Sequence, residues 1–111
     1  MPVLEKETAA KNWFSSDAQF NQLYPLFIQN LAPAHWTPLT VARKAVHFLA
    51  ASPCARVLDI GSGVGKFCLA AAHYDPKGFY TGIEQRKGLV HHAETAQKML
   101  CIENVSFING N

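Results

Sequence analysis

RVLDIGSGVGKF, residues 56–67, carries a short apolar run through an aspartate into three glycines and a lysine. Arg56 to Ile60 reads as a short apolar strand and the glycines as a tight turn. The residues after them read as a helix with Phe67, Ala70, Ala71 and Tyr74 on one face. The alternation continues downstream. "DPKG" at 75–78 is a turn, Phe79 to Glu84 a second strand, and Arg86 to about Leu100 a second helix with Leu89, Ala93, Ala96 and Leu100 inward. Val105 to Asn109 is a third strand. Strands that alternate with helices of this length imply right-handed crossovers and a parallel sheet, so the fold class is α/β.

Upstream, Phe20, Leu23, Tyr24, Phe27, Ile28 and Leu31 recur at steps of three and four, a helical stripe that Pro25 must kink or split into two short helices. Thr37 can cap the next helix and Pro38 suits its first position; Val41, Ala45, Phe48 and Leu49 form the expected inner face, and Ser52 and Pro53 end it. The expected organisation is a flexible arm over 1–15, a helical segment over 16–53 and a β-α-β-α-β unit over 54–111.

A chain of 111 residues has room for one small domain, and 49% hydrophobic with 16% charged residues is a globular composition. No apolar run reaches the length of a membrane span and the N-terminus has no signal-peptide core, which makes the cytoplasm the expected location. Cys54, Cys68 and Cys101 are odd in number without C-x-x-C spacing, so they are expected to be reduced and buried, and neither a disulfide framework nor a zinc site fits them. His91 and His92 are adjacent and point apart on a helix; no metal is expected. A net charge of +2, spread along the chain, gives little electrostatic reason to expect nucleic acid.

Three ligands compete for the glycine turn. A triphosphate loop needs G-x-x-x-x-G-K followed by a hydroxyl residue, but Gly61 and Gly65 are too close and Phe67 follows Lys66. Lys66 is better read as a solvated lysine in a first helical turn. A dinucleotide loop needs G-x-G-x-x-G, and Lys66 stands at its third glycine. Asp59 bears on both, because a carboxylate at the strand end would repel a pyrophosphate by about 4 kcal/mol for unit charges about 4 Å apart near a surface. A ligand with a positive group and no phosphate would be attracted instead.

Asp59, Gly61, Gly63 and Gly65, in the arrangement D-x-G-x-G-x-G, resemble the first motif of class I S-adenosylmethionine-dependent methyltransferases. Over roughly residues 35–111, "HWTPLTVARKAVHFL", "VLDIGSGVGKFCLAAA", "GIEQR" and "NVSFINGN" are similar to bacterial methyltransferases of unassigned substrate, and the D-x-G-S-G-V-G and G-x-E pair is similar to the Rossmann-like histone-lysine methyltransferase family. The resemblance implies a partial Rossmann-like methyltransferase fold with S-adenosylmethionine as cofactor. Its implied cofactor contacts are Asp59, Gly61, Ser62, Gly63 and Gly65, with Glu84 for the ribose hydroxyls, Asn111 for the adenine amine and Thr37 near the amino-acid end. Glu84 also fits on position alone, 23 residues after Gly61 at the end of the second strand.

The sheet of that family has seven strands, with catalytic and acceptor-binding residues largely after the fourth. The chain is therefore expected to be the cofactor-binding portion of a longer enzyme, inactive alone, with no assignable catalytic residue and an unidentified acceptor: protein lysine, small molecule or nucleic acid. The alternatives are a non-catalytic cofactor-binding or protein-interaction module and, less well matched, an NAD-type domain. Val57 to Ile60, lacking a fourth strand, is expected to form an unpaired edge through which the chain self-associates.

Overall fold

Pro25 breaks the N-terminal stripe as its ring geometry requires. A computed structural model, which describes residues 12–111, has three short helices there: α1 (Asp17–Asn21), α2 (Leu26–Gln29) and α3 (Ala32–His35). Phe20, Leu23, Tyr24 and Ile28 are buried, but Phe27 is exposed and Leu31 only half-buried, because the break turns α2 out of line with α1. Of the arm expected over 1–15, residues 1–11 lie outside the described residues. Residues 12–15 instead form a turn in which Ser15 donates to the Asn12 carbonyl at 3.3 Å. Trp13 and Phe14 pack on the core there, and Phe14 stacks on His73 with ring centroids 3.8 Å apart.

Helix α4 (Leu39–Leu49) is present, but its inner face differs from the expected one. Leu39, Ala42 and Val46 are buried, whereas Val41, Phe48 and Leu49 are exposed, Phe48 at 84%. Both sets have helical spacing and each includes an alanine; Ala45 of the expected face is half-buried. The buried set lies against α5 (Lys66–Tyr74), which is itself buried through Cys68, Leu69, Ala70, Ala71 and Ala72 and so admits a close neighbour. Thr37 does not cap α4. Pro38 occupies the position before the helix, no side chain of its own caps it, and the Leu39 N–H donates to Asp17 Oδ1 at 2.9 Å.

The sheet consists of β1 (Arg56–Ile60), β2 (Phe79–Glu84) and β3 (Val105–Asn109), all parallel, in the order β1-β2-β3, with α5 and α6 (Lys87–Leu100) as crossovers. Strands that step one way through right-handed crossovers place both helices on one face. Val57, Tyr80 and Val105 are in register on the covered side; Leu58, Ile60, Phe79 and Ile108 stand exposed on the other. Cys68 is buried as expected, but Cys54 and Cys101 are exposed, each at a turn with positive φ rather than on a packed face. No helix among the described residues is long and apolar enough to cross a membrane.

The two ends of the sheet are built differently. At the foot, the Asn104 amide approaches the carbonyls of Ala72 (3.3 Å), Asp75 (3.2 Å) and Gly78 (3.0 Å), and the buried Tyr80 hydroxyl donates to Asp75 Oδ2 at 2.8 Å. At the head, the turn between β1 and α5 packs on α6 and β3 through Gly65. With φ at 84°, this position favours glycine, and an added Cβ would lie 2.7 Å from Phe107 Cε1 and 3.0 Å from Ala93 Cβ. Gly65 thus supplies the tight packing that a dinucleotide loop obtains from its third glycine, where this chain has Lys66. Gly65→Ala is expected to destabilise the fold by roughly 2–4 kcal/mol in chemical denaturation. Gly88→Ala, in the first turns of α6 with open space around it, is expected to stabilise by about 0.5–1 kcal/mol.

Candidate functional site

Strand β1 delivers its glycine turn against the end of β2, and backbone bonds fix it there. The N–H groups of Gly61 and Ser62 both donate to the Ile83 carbonyl, at 2.8 and 3.0 Å. The Gly63 N–H then donates to Glu84 Oε1 at 2.9 Å. Gly61 and Gly63 have φ of 77° and 58°, and a Cβ at either would meet nothing within 4 Å, so bare backbone faces open space where a ligand can approach.

Two cavities meet at this turn. The first, about 220 Å³, is walled by Thr37, Asp59, Gly61, Ser62 and Gly63 together with His35, Trp36, Phe67 and Arg86. The second, about 350 Å³, lies between Gly61, Glu84, Arg86 and Asn111. Seven of the eight residues singled out from the sequence therefore line one cavity or the other. Gly65 does not: it is buried beneath the turn, where its part is packing. Ser62 reaches the first cavity, but its hydroxyl is buried toward Gly82, where it has no hydrogen-bond partner among the described residues.

The two carboxylates are in opposite electrostatic states. Glu84 is almost fully buried and accepts from the Gly63 N–H, from the Arg86 N–H at 2.9 Å and from Arg86 Nε at 2.8 Å and Nη2 at 3.3 Å. Chiefly through the Arg86 guanidinium, its pKa is held down to about 2, so it is ionised at any physiological pH. Asp59 is shifted upward instead, because partial burial disfavours its charge and, among the described residues, the only donor offsetting this is the Cys68 thiol, a distant 3.9 Å away. Cys68 is itself pushed well above the usual thiol range by burial and by Asp59, which leaves it inert as a nucleophile.

Arg86 was not anticipated from the sequence, although a cation two residues after Glu84 is the signal that could have found it. Its guanidinium is 63% exposed yet occupies the lone pairs of Glu84 that a ligand hydroxyl would use. Lys66 is also not the solvated residue the sequence implies. It is 4% exposed, with Nζ 2.7 Å from Asp17 Oδ1 and 3.0 Å from Asn21 Oδ1. Helix α1 provides the shell that removes it from water.

A family profile described as a methyltransferase domain matches residues 51–111, the stretch that contains β1, β2, β3 and the glycine turn. A tRNA (guanine-N(7)-)-methyltransferase from Synechococcus sp. (strain JA-3-3Ab) is 33% identical over 91 residues, 82% of this chain but 35% of that protein. Among solved structures, TrmN from Thermus thermophilus superposes with a TM-score of 0.62 at 20% identity, covering 76% of this chain and 26% of that one. A SAM-dependent methyltransferase from Aquifex aeolicus superposes at 0.55 with 21% identity, covering 63% and 38%. At those identities the structures speak for the fold. The chain spans about a third of the length of the relatives it matches. With the profile covering more than half of its residues, this chain belongs to the methyltransferase domain family.

Proposed function

We propose that the chain is the cofactor-binding portion of an S-adenosylmethionine-dependent methyltransferase. The observation that carries this reading is the pairing of a bare glycine backbone with a carboxylate on each side, Asp59 in one cavity and Glu84 in the other. The donor set fits a ligand with a positive amino-acid end and a ribose, and it is hostile to a diphosphate. Bound there, S-adenosylmethionine supplies a sulfonium-activated methyl group for direct transfer to a nucleophile.

The residues of this chain hold and orient. Gly61 and Gly63 let the ligand approach the backbone, Asp59 and Thr37 face its amino-acid end, and Asn111 faces the adenine. Glu84 takes the ribose hydroxyls, for which the exposed Arg86 side chain must yield its two bonds. The arginine side chain is already mostly in water, and the ribose hydroxyls replace its bonds so that the buried carboxylate is not left unpaired. No described residue stands as a general base, and the residues that bind and activate the acceptor are assigned to the remainder of the protein.

For the acceptor we favour nucleic acid, specifically a purine of a structured RNA, over protein lysine or a small molecule. The name of the Synechococcus relative supports this. A cytoplasmic location belongs to the same reading and is in keeping with the three free thiols.

Calorimetric titration tests the cofactor. S-adenosylhomocysteine is expected to bind and NAD not to; a preference for NAD would overturn the reading. Glu84→Gln is expected to weaken S-adenosylhomocysteine by about 1–3 kcal/mol. Affinity should also fall on acidification, starting at a higher pH than an ordinary aspartate would give, because the upward-shifted Asp59 protonates first while Glu84 stays ionised. Asp59→Asn should remove that acid limb along with part of the affinity; an unchanged pH profile in this variant would locate the titrating group elsewhere.

A further inference from the structure

Lys66 is an expensive residue at its position. It opens α5, where the helix dipole already presents positive charge, and its ammonium is buried. Pairing a buried cation with a carboxylate rarely improves on apolar packing, so stability alone does not account for it. Its partners give the reason. Asp17 Oδ1, which accepts from Lys66, also accepts the Leu39 N–H and so fixes the chain immediately after Thr37 and Pro38. The Lys66 Nζ lies 5.9 Å from the ring centre of Trp36, a wall of the first cavity, and 5.5 Å from that of Phe20. Beside it the buried Tyr24 hydroxyl donates to the Val64 carbonyl at 2.9 Å, a second tie between the N-terminal helices and the glycine turn.

One ammonium thus joins three segments behind the first cavity: helix α1, the Trp36–Pro38 stretch and the start of α5. Lys66 and Trp36 line that cavity on one side, and with Asp17, Asn21 and Pro38 they line a separate one of about 250 Å³ on the other. The second cavity, between Glu84 and Asn111, shares none of these contacts. We infer that Lys66 is a positioning residue that sets the wall of the first cavity, and thereby governs affinity for the zwitterionic amino-acid end of the ligand while leaving the nucleoside end unaffected. The inference rests on the proposed cofactor and adds a division of labour to it. Lys66 itself lines the first cavity, but its ammonium is engaged by Asp17 and Asn21, so it acts through these partners and Trp36.

The test compares two probes by calorimetry: S-adenosylhomocysteine, which fills both cavities, and 5′-methylthioadenosine, which lacks the amino-acid end. Lys66→Met keeps the length and apolar packing but removes the charge, and is expected to weaken S-adenosylhomocysteine about tenfold while 5′-methylthioadenosine stays within about twofold. Lys66→Arg, whose fork can still pair with the Asp17 carboxylate, is expected to recover most of the loss. Asp17→Asn, at a half-exposed site, keeps an oxygen acceptor for both Lys66 and the Leu39 N–H while removing the countercharge, and should reproduce the selective effect should Lys66→Met fail to fold. Equal weakening of both probes, or no change in either, would overturn the inference while leaving the cofactor intact. Failure of the unsubstituted chain to bind S-adenosylhomocysteine would instead remove the reading beneath it.

Discussion

The head of the sheet depends on three amides of one turn reaching across to the next strand. Gly61 and Ser62 share the Ile83 carbonyl and Gly63 reaches the Glu84 carboxylate, so the end of β1 and the end of β2 cannot move independently. This stitch turns two strand ends into one surface. It aims Glu84, adds one amide to the Arg86 contacts that chiefly keep its carboxylate ionised, and leaves the outer side of Gly61 and Gly63 open to a ligand. Both cavities inherit their shape from it, since Gly61 is a wall of each.

Around this rigid centre the site is asymmetric. On one side lies a carboxylate saturated by its own arginine; on the other a carboxylate short of donors, with its charge resisted by burial. A ligand that brings a cation to Asp59 and hydroxyls to Glu84 relieves the first deficit and replaces the second set of contacts. The two halves of such a ligand therefore meet different physics: charge attraction on the side of the N-terminal helices, exchange of hydrogen bonds on the side of β3.

The local half of this arrangement was legible in the sequence. Strand boundaries, the turn, and the positions of Asp59 and Glu84 follow from periodicity and from glycine spacing, signals that neighbouring residues carry between themselves. What was hidden depends on distant partners. Leu39, Ala42 and Val46 repeat at helical spacing, as do Val41, Ala45, Phe48 and Leu49, and only the alanine-rich surface of α5 decides between the two sets. Lys66 read as solvated because its carboxylate lies 49 residues earlier, and Thr37 read as a cap because Asp17, which does that work for Leu39, belongs to another helix. Arg86 was concealed differently, by adjacency: its exposure is ordinary, and only its grip on Glu84 is not.

The foot of the sheet has a consequence of another kind. Asn104 gathers three carbonyls and Tyr80 clamps Asp75 at the end of the strands opposite to Asp59 and Glu84, with no shared residue. Anchorage and chemistry are thus entrusted to opposite poles of the same three strands. Substitutions that reshape the mouth leave the anchor untouched, which gives a lineage built on this scaffold latitude to vary the mouth without first acquiring compensating changes elsewhere.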